Sequence, residues 1–339
     1  MHIVLLHDSV TAADAADAQD VLVQAEAISQ ALAYLGHSCH SHACGLNLEG
    51  IMAVLREQQA GLVFNLVESL AGQGRLIHLL PACLEAAAIP FTGSSATALL
   101  LSSNKILAKK RLQQAGIATP AWYEATEGKT STDQELDGRW VIKSVWEHAS
   151  IGMDASSVQR PSSMAALQEI LRERRHRPGG AFFAEAYIEG REFNVSLLDS
   201  GEDTDGADGG GEVEVLPVAE IVFDDFPPDQ PKIVDYAAKW EQDSFACRHT
   251  RRVFPGDEDE ALLAELRILA RQCRHALQLS GYARVDFRVD HAGRPWVLEV
   301  NANPCLALDA GFAAALHQAG IAYHEAIGRL IQAALAQKP

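Results

Sequence analysis

Near the C-terminal end of the chain stands the stretch ARVDFRVDHAGRPWVLEVNANP, residues 283–304, and it leaves few choices of local structure. Apolar and polar residues alternate on both sides of Ala292-Gly293, the period of two expected of half-buried strands joined by a tight turn. With a two-residue turn between His291 and Arg294, Val285 faces Val300, Phe287 faces Leu298 and Val289 faces Trp296 on one side. The other side sets Asp286 opposite Glu299 and Arg284 opposite Asn301. Opposed Cβ atoms in such a ladder lie about 5 Å apart, so two carboxylates there repel unless positive charge sits between them. A hard divalent cation answers this. Mg2+ takes one or two carboxylates together with phosphate oxygens, and Asn301 adds a neutral oxygen on the same face. The plainer reading is a solvated polar face whose acids pair with Arg284 and Arg288.

The start of the chain carries a different pattern. Short strands are expected at 2–7, 38–43 and 61–66, separated by helices at 20–35 and 48–58. Val21, Ala25, Ile28, Leu32 and Leu35 fall at helical spacing, with Gly36 as the stop. Such a β-α-β-α-β alternation argues for an open parallel sheet covered by helices. A helix at 76–88 leads into IPFTGS, and a first domain boundary falls near residue 95. Beyond it, helices are expected at 96–115, 165–175, 258–279 and 322–336. Strands are expected at 140–145, 181–187, 193–198, 213–223, 283–290 and 295–301. The fold class is α/β, α+β in part, with three domains: 1–95 with the parallel sheet, 96–185 with Lys143, and 186–339 with the hairpin.

Composition removes other options. The 339 residues include 28 basic and 45 acidic side chains, a balance of −17. Twelve of the acids lie between Glu192 and Pro231, where there is no Lys or Arg; the rest carries 28 against 33, only −5. Residues 201–211, rich in Gly, Asp and Glu, cannot bury enough apolar surface to order themselves and are expected to be mobile. Without a basic face, nucleic acid is not the expected partner. No run of about 18 apolar residues exists to span a membrane. Six cysteines without a CxxC pair, and no secretory leader in MHIVLLHDSV, point to reduced thiols in the cytoplasm.

The hairpin resembles the metal-binding hairpin of the ATP-grasp superfamily, and the pattern is nearest the D-alanine–D-alanine ligase family. IPFTGS, NKILAKKRLQQAGIATP, VIKSVWEHASIGM, FFAEAYIEGREF, DYAAKW and AGIAY support the resemblance by their order and spacing. The resemblance implies a three-domain ATP-grasp architecture in which Asp286, Glu299 and Asn301 hold two Mg2+ ions, with Mn2+ as the alternative, between ATP phosphates. It implies that Lys105 and Lys143 neutralise phosphate charge, that Glu185 and Ile188 meet the adenine, and that Glu192 takes the ribose hydroxyls. Lys239 would reach the γ-phosphate, Arg284 would stabilise the tetrahedral intermediate, and Ser150, in the phosphate-covering loop, would be the third catalytic residue. The implied chemistry is amide formation through an acyl phosphate by a homodimer acting on small amino-acid or carboxylate substrates.

The departures fall on the substrate side. The phosphate-covering loop reads Glu147-His148-Ala149-Ser150-Ile151-Gly152, with histidine for a glycine and alanine for a serine. Trp240 replaces the mobile-loop tyrosine, and residues 11–20 offer no clear counterpart to the family's ammonium-placing glutamate. After Asn301 come Pro304-Cys305-Leu306-Ala307 and Asp309-Ala310-Gly311 in place of the family's Pro-Gly-Met-Thr and later serine. The favoured reading is therefore a carboxylate–amine ligase with an unassigned amino-acid pair. D-alanine–D-alanine ligase is second, and a nucleotide-binding regulatory protein without catalysis is third. The His37–Cys44 segment invites a zinc site, but strand alternation separates Cys39 from His40 and His42. SxxK at Ser102–Lys105, Gly72-Gln73-Gly74 and Gly128-Lys129-Thr130 each lack the rest of the motif they suggest.

Overall fold

The computed structural model describes residues 1–11, 13–124, 136, 138–148, 150–175, 180–201 and 213–337. At the N-terminus β1 (His2–Asp8), α1 (Ala16–Tyr34), β2 (Ser38–Cys44), α2 (Leu48–Glu57), β3 (Leu62–Leu66) and α3 (Leu79–Ala86) alternate as the sequence predicts. The strands form a parallel sheet of order β2-β1-β3. Ile3, Leu5, Val21, Ile28, Leu32, Leu62 and Phe64 pack into one core. Helix α1 starts one turn earlier than its apolar spacing predicts, and α3 starts later, after a short 3-10 turn.

Next come α4 (Ala96–Ser103), α5 (Lys105–Gln114), β4 (Trp122–Glu124), β5 (Trp140–Ser144), β6 (Val158–Gln159), α6 (Met164–Arg174) and β7 (Phe182–Ala186). The four strands form an antiparallel sheet of order β4-β7-β5-β6. The single helix expected over 96–115 is two. Asn104 leaves helical geometry (ψ 100°), and its side-chain oxygen accepts from Ile106 N and Leu107 N, both at 3.0 Å, as the N-cap of α5. The break puts Lys105 on the first turn of α5, where its own N–H donates to Val145 O at 3.0 Å. Replacing Asn104 by alanine should cost about 1 kcal/mol; chemical denaturation that shows no loss would refute the cap.

The remainder holds β8 (Gly190–Asp199), β9 (Val213–Val215), β10 (Ala219–Phe223), α7 (Tyr236–Trp240), α8 (Phe245–Arg248) and β11 (Thr250–Val253). After these come α9 (Glu260–Ala276), β12 (Tyr282–Asp290), β13 (Pro295–Asn301), α10 (Gly311–Ala319) and α11 (Tyr323–Ala336). A six-stranded antiparallel sheet runs β11-β10-β8-β12-β13, with β9 also on β8. The one strand expected over 213–223 is thus split, with Pro217, which has no N–H to donate, between its halves. Of the acidic loop, residues 202–212 lie outside the described residues, as do Ala149 and 128–130. Helices α10, α7 and α8 and strands β4 and β11 have no expected counterpart, being short or lacking a long apolar period. No helix among the described residues is long and apolar enough to cross a membrane.

The hairpin differs from expectation at both of its irregular points. Its turn has three residues, 291–293, because Gly293 takes φ +80° and Asp290 N donates to Arg294 O at 3.1 Å. The Asp290 carboxylate holds this loop, accepting from Ala292 N at 2.9 Å, Arg294 N at 3.0 Å and Trp296 Nε1 at 2.9 Å. The ladder beside the turn is therefore one residue out of step, pairing Phe287 with Val297 and Val289 with Pro295. A bulge then absorbs Leu298, and the far end returns to the expected register: Asp286 opposite Glu299 and Arg284 opposite Asn301. Two deviations of one residue cancel where the carboxylates sit. Leu298 and Trp296 do not join the core as expected; Val297 and Val300 do, with Val285, Phe287 and Val289.

Candidate active site

A cleft of about 500 Å³ is lined by β5, β8, β12, β13, α7 and the ends of the N-terminal strands. All eleven residues singled out from the sequence line it: Lys105, Lys143, Ser150, Glu185, Ile188 and Glu192, with Lys239, Arg284, Asp286, Glu299 and Asn301. Alternation along β12 and β13 turns Arg284, Asp286, Glu299 and Asn301 to this side while Val285 and Val300 fill the core behind them. The bulge adds Leu298 as an apolar wall residue beside Glu299.

Neither hairpin carboxylate stands alone. Glu299 Oε1 lies 3.3 Å from Lys105 Nζ and 2.9 Å from His148 Nδ1. Burial alone would raise its pKa, but Lys105 and then His148 outweigh that and hold it well below the usual carboxylate range. Asp286 takes a two-pronged contact from Arg284, Nε at 2.7 Å and Nη2 at 2.8 Å, and a third hydrogen bond from Asn194 Nδ2 at 2.7 Å. Arg284 thus pairs as the plainer reading of the polar face has it. Arg288 does not; it lies 2.9 Å from Glu192 and donates to the carbonyls of Gly190 and Lys232. Glycine is required at 190: its φ is +142°, and a Cβ there would sit 1.9 Å from Val289 O.

The cationic side of the cleft is built from three elements. Lys105 Nζ donates to Glu147 O at 2.7 Å. Lys143, on β5, lies 2.5 Å from Glu185 Oε1, and the buried Lys109 lies 2.5 Å from Glu185 Oε2. Desolvation would raise the Glu185 pKa, but Lys109 and Lys143 reverse the effect and keep it ionised. Lys109 also donates to Thr119 Oγ1 at 2.7 Å and Pro120 O at 3.1 Å. It was not singled out from the sequence, though one helical turn after Lys105 is the spacing that puts two residues on one face. Lys239 reaches the cleft from α7, its ammonium held below the usual lysine range by desolvation and then by the like charge of Arg284. Ser150 has φ +62°, and its hydroxyl donates to Val234 O at 2.7 Å.

The N-terminal side is acidic. Asp8, Asp17, Asp20 and Glu68 line the cleft, and none of them is among the site residues expected from the sequence. Asp17 accepts from Tyr236 Oη at 2.8 Å, which ties α1 to the helix carrying Lys239. Cys305 Sγ lies 3.1 Å from Asp20 Oδ2; burial and then Asp20 push its thiol far up, so it stays protonated. Trp240 and Asp309-Ala310-Gly311 also line the cleft, so these departures in sequence gather in one place. Of the histidine–cysteine segment, His40 is exposed on β2, His42 is half-buried with its Nε2 2.8 Å from Gln58 Nε2, and Cys44 is buried.

The chain is similar to known proteins. Residues 112–332 match the family model described as "D-ala D-ala ligase C-terminus". An uncharacterized protein, y4sG, of Sinorhizobium fredii is 32% identical over 275 residues, covering 81% of this chain and 75% of that one. The D-alanine–D-alanine ligase of Synechococcus sp. (strain JA-2-3B'a(2-13)) is 31% identical over 287 residues, covering 83% and 78%. The crystal structure of D-alanine–D-alanine ligase from Bacillus anthracis complexed with ATP has the same fold, with a TM-score of 0.72 at 21% identity over 99% of this chain and 97% of that one. With the hairpin, the lysines and the acid-lined cleft in the same chain, these matches show that it belongs to the D-alanine–D-alanine ligase family of ATP-grasp proteins.

Proposed function

We propose that the protein is an ATP-dependent ligase that joins a carboxylate to the amine of an amino acid, forming a C–N bond and releasing ADP and phosphate. The observation that carries this is the convergence of Asp286, Glu299 and Asn301 with Lys105, Lys143, Lys239 and Arg284 on one cleft. An ATP triphosphate brings the negative charge that this set of cations matches. Glu185, Ile188 and Glu192 sit together along the β7–β8 edge of the cleft, where we place the adenosine.

The donors on the hairpin are all oxygens, which suits Mg2+; two carboxylates and one amide fall short of six ligands, so phosphate oxygens and water would complete the sphere. Held by Asp286, Glu299 and Asn301, the ions would offset charge developing on the γ-phosphoryl group. For that, Lys105 and His148 must yield their hold on Glu299, and Arg284 must turn from Asp286 toward substrate. The donor carboxylate attacks the γ-phosphorus to give an acyl phosphate, with Lys239 and Arg284 stabilising the transferring group. The amine then attacks the acyl carbon and phosphate leaves. Positioning and exclusion of water supply the catalysis, and no covalent enzyme intermediate is needed.

The test is mass spectrometry of the products formed from ATP, Mg2+ and pooled D- and L-amino acids. An amide with stoichiometric ADP supports the ligase, and failure to release phosphate with any mixture refutes it in favour of a regulatory nucleotide-binding protein. The identities to named ligases favour one specific outcome, D-alanyl-D-alanine. The changes at His148, Trp240 and Asp309–Gly311 favour another pair. By family resemblance we also place the enzyme in the cytoplasm as a homodimer of three-domain chains divided near residues 95 and 185, and sedimentation velocity tests the dimer.

A further inference from the structure

The cleft contains more carboxylates than phosphate transfer uses, and they differ in what holds them. Asp286 and Glu299 are bound to Arg284, Lys105 and His148, Glu192 to Arg288, and Asp17 to Tyr236. Asp8 is filled by three donors: Glu68 N at 2.8 Å, Ser69 N at 3.2 Å and Ser69 Oγ at 2.5 Å. Asp20 accepts from Gln24 at 3.1 Å and from Cys305. Asp309 is exposed at the rim within electrostatic reach of Arg252. Glu68 remains. It is half-buried, lines the cleft, and has no cation within ion-pair distance among the described residues.

Its position is well determined. The Asp8 carboxylate fixes its backbone, so the turn after β3 carries it to the C-terminal end of the parallel sheet, the edge where open α/β sheets place ligands. Its side chain accepts from Gln24, whose own Oε1 accepts from Leu306 N at 2.9 Å, so the carboxylate sits against the segment that follows the hairpin. The groups facing it are Asp8 and Asp20 from the N-terminal unit, Lys239 from α7, and Cys305 and Tyr282 from the C-terminal unit. Arg284 in turn lies within electrostatic reach of Cys305. Glu68 therefore stands in the acidic wall of the cleft, within electrostatic reach of Lys239 and beside Cys305, which Arg284 faces in turn.

Amide formation needs a base, because an amino acid arrives as an ammonium ion with no lone pair. We propose that Glu68 is the catalytic base that deprotonates the amine-bearing substrate, an inference that rests on the ligase reading above. Glu68 takes one proton from the ammonium. The nitrogen lone pair forms the C–N bond, the acyl C–O bond breaks with its electron pair on phosphate, and the second nitrogen proton leaves with that phosphate. Protonated Glu68 returns its proton to solvent. Its carboxyl is suited to that role. Desolvation first, then Asp8, push it up to about 8, near the value at which a base is both free and strong at neutral pH.

The experiment compares wild type, Glu68→Gln and Glu68→Asp with ATP, Mg2+ and pooled D- and L-amino acids, with and without hydroxylamine. Hydroxylamine is neutral at pH 7 and traps an acyl phosphate as a hydroxamate without a base. Glu68→Gln is expected to form hydroxamate within about twofold of wild type while losing amide at least about 100-fold, and Glu68→Asp should recover part of the amide. The wild-type amide rate should rise with pH up to about 8, the limb set by the Glu68 carboxyl, and Glu68→Gln should lack that limb. Equal loss of hydroxamate and amide, or an unchanged amide rate, overturns the base while leaving the ligase. No hydroxamate from wild type overturns the ligase reading and the base with it. Misfolding is checked in the same samples. A carboxyl held near 8 rather than 4.5 makes the fold lose stability as pH rises through that window, so Glu68→Gln should not lower the thermal midpoint at pH 8.

Discussion

Glu299→Gln is expected to lower ATP-dependent phosphate release by on the order of 10²–10³-fold. Glutamine keeps the volume and one oxygen but removes the negative charge that Lys105 and His148 now share at 3.3 and 2.9 Å. Asp286 and Asn301 are left as one charged and one neutral donor, too little to hold a divalent ion against Lys105. A Mg2+-dependent thermal shift with ATP should vanish with the activity, which separates loss of the metal from loss of the nucleotide. Stability carries a second signature. Glu299 is held well below the glutamate value of 4.5, so its ionised form stabilises the fold above that value, and the contribution is lost as pH falls through the folded-state pKa. The variant should therefore be the less stable protein at pH 7, and the two should converge in acid. Unchanged turnover would remove Glu299 from the metal site.

Lys109→Met is expected to cost about 3–5 kcal/mol of stability, the penalty of breaking a buried ion pair from one side. Lys109 and Glu185 are each 1% exposed, and methionine fills the lysine's volume while leaving Glu185 with Lys143 alone. Lys143 would then be drawn toward Glu185 and away from phosphate, so weaker ATP binding should accompany the lost stability. The double change Lys109→Met with Glu185→Gln should cost less than the sum of the single changes, because the stranded charge is gone. Equilibrium denaturation of the three variants measures this. Strict additivity would show that the pair is not coupled as its 2.5 Å separation requires.

Much of the site was legible because it rests on short periods. The alternation of β12 and β13 announced which side chains share a face, and the parallel-sheet pattern of the first 66 residues is local in the same sense. Lys109 was missed for the opposite reason. A lysine on a helix reads as a solvated residue, and only the approach of β7 brings Glu185 over it. Glu68, Asp17 and Asp20 were missed because nothing near them in sequence is catalytic; they face Lys239 and Cys305, more than 170 residues away, only once the chain is folded. Helix 96–115 was read as one because Asn104 is a tolerable helix residue, and its capping geometry depends on Lys105 N meeting Val145 O.

The hairpin divides the two kinds of information. By itself the sequence determined that Asp286, Glu299 and Asn301 lie on one face with Val285 and Val300 on the other, since side chains alternate with a period of two. It did not determine how many residues the turn would spend, or that Leu298 would be bulged out, and each of these moves every later pair by one. Those choices were made by Asp290, which holds three donors around the turn, and by β8, which pairs with all nine residues of β12 and keeps that strand regular. The irregularity is forced onto β13, the strand at the sheet's edge, where one neighbour rather than two must accommodate an extra residue.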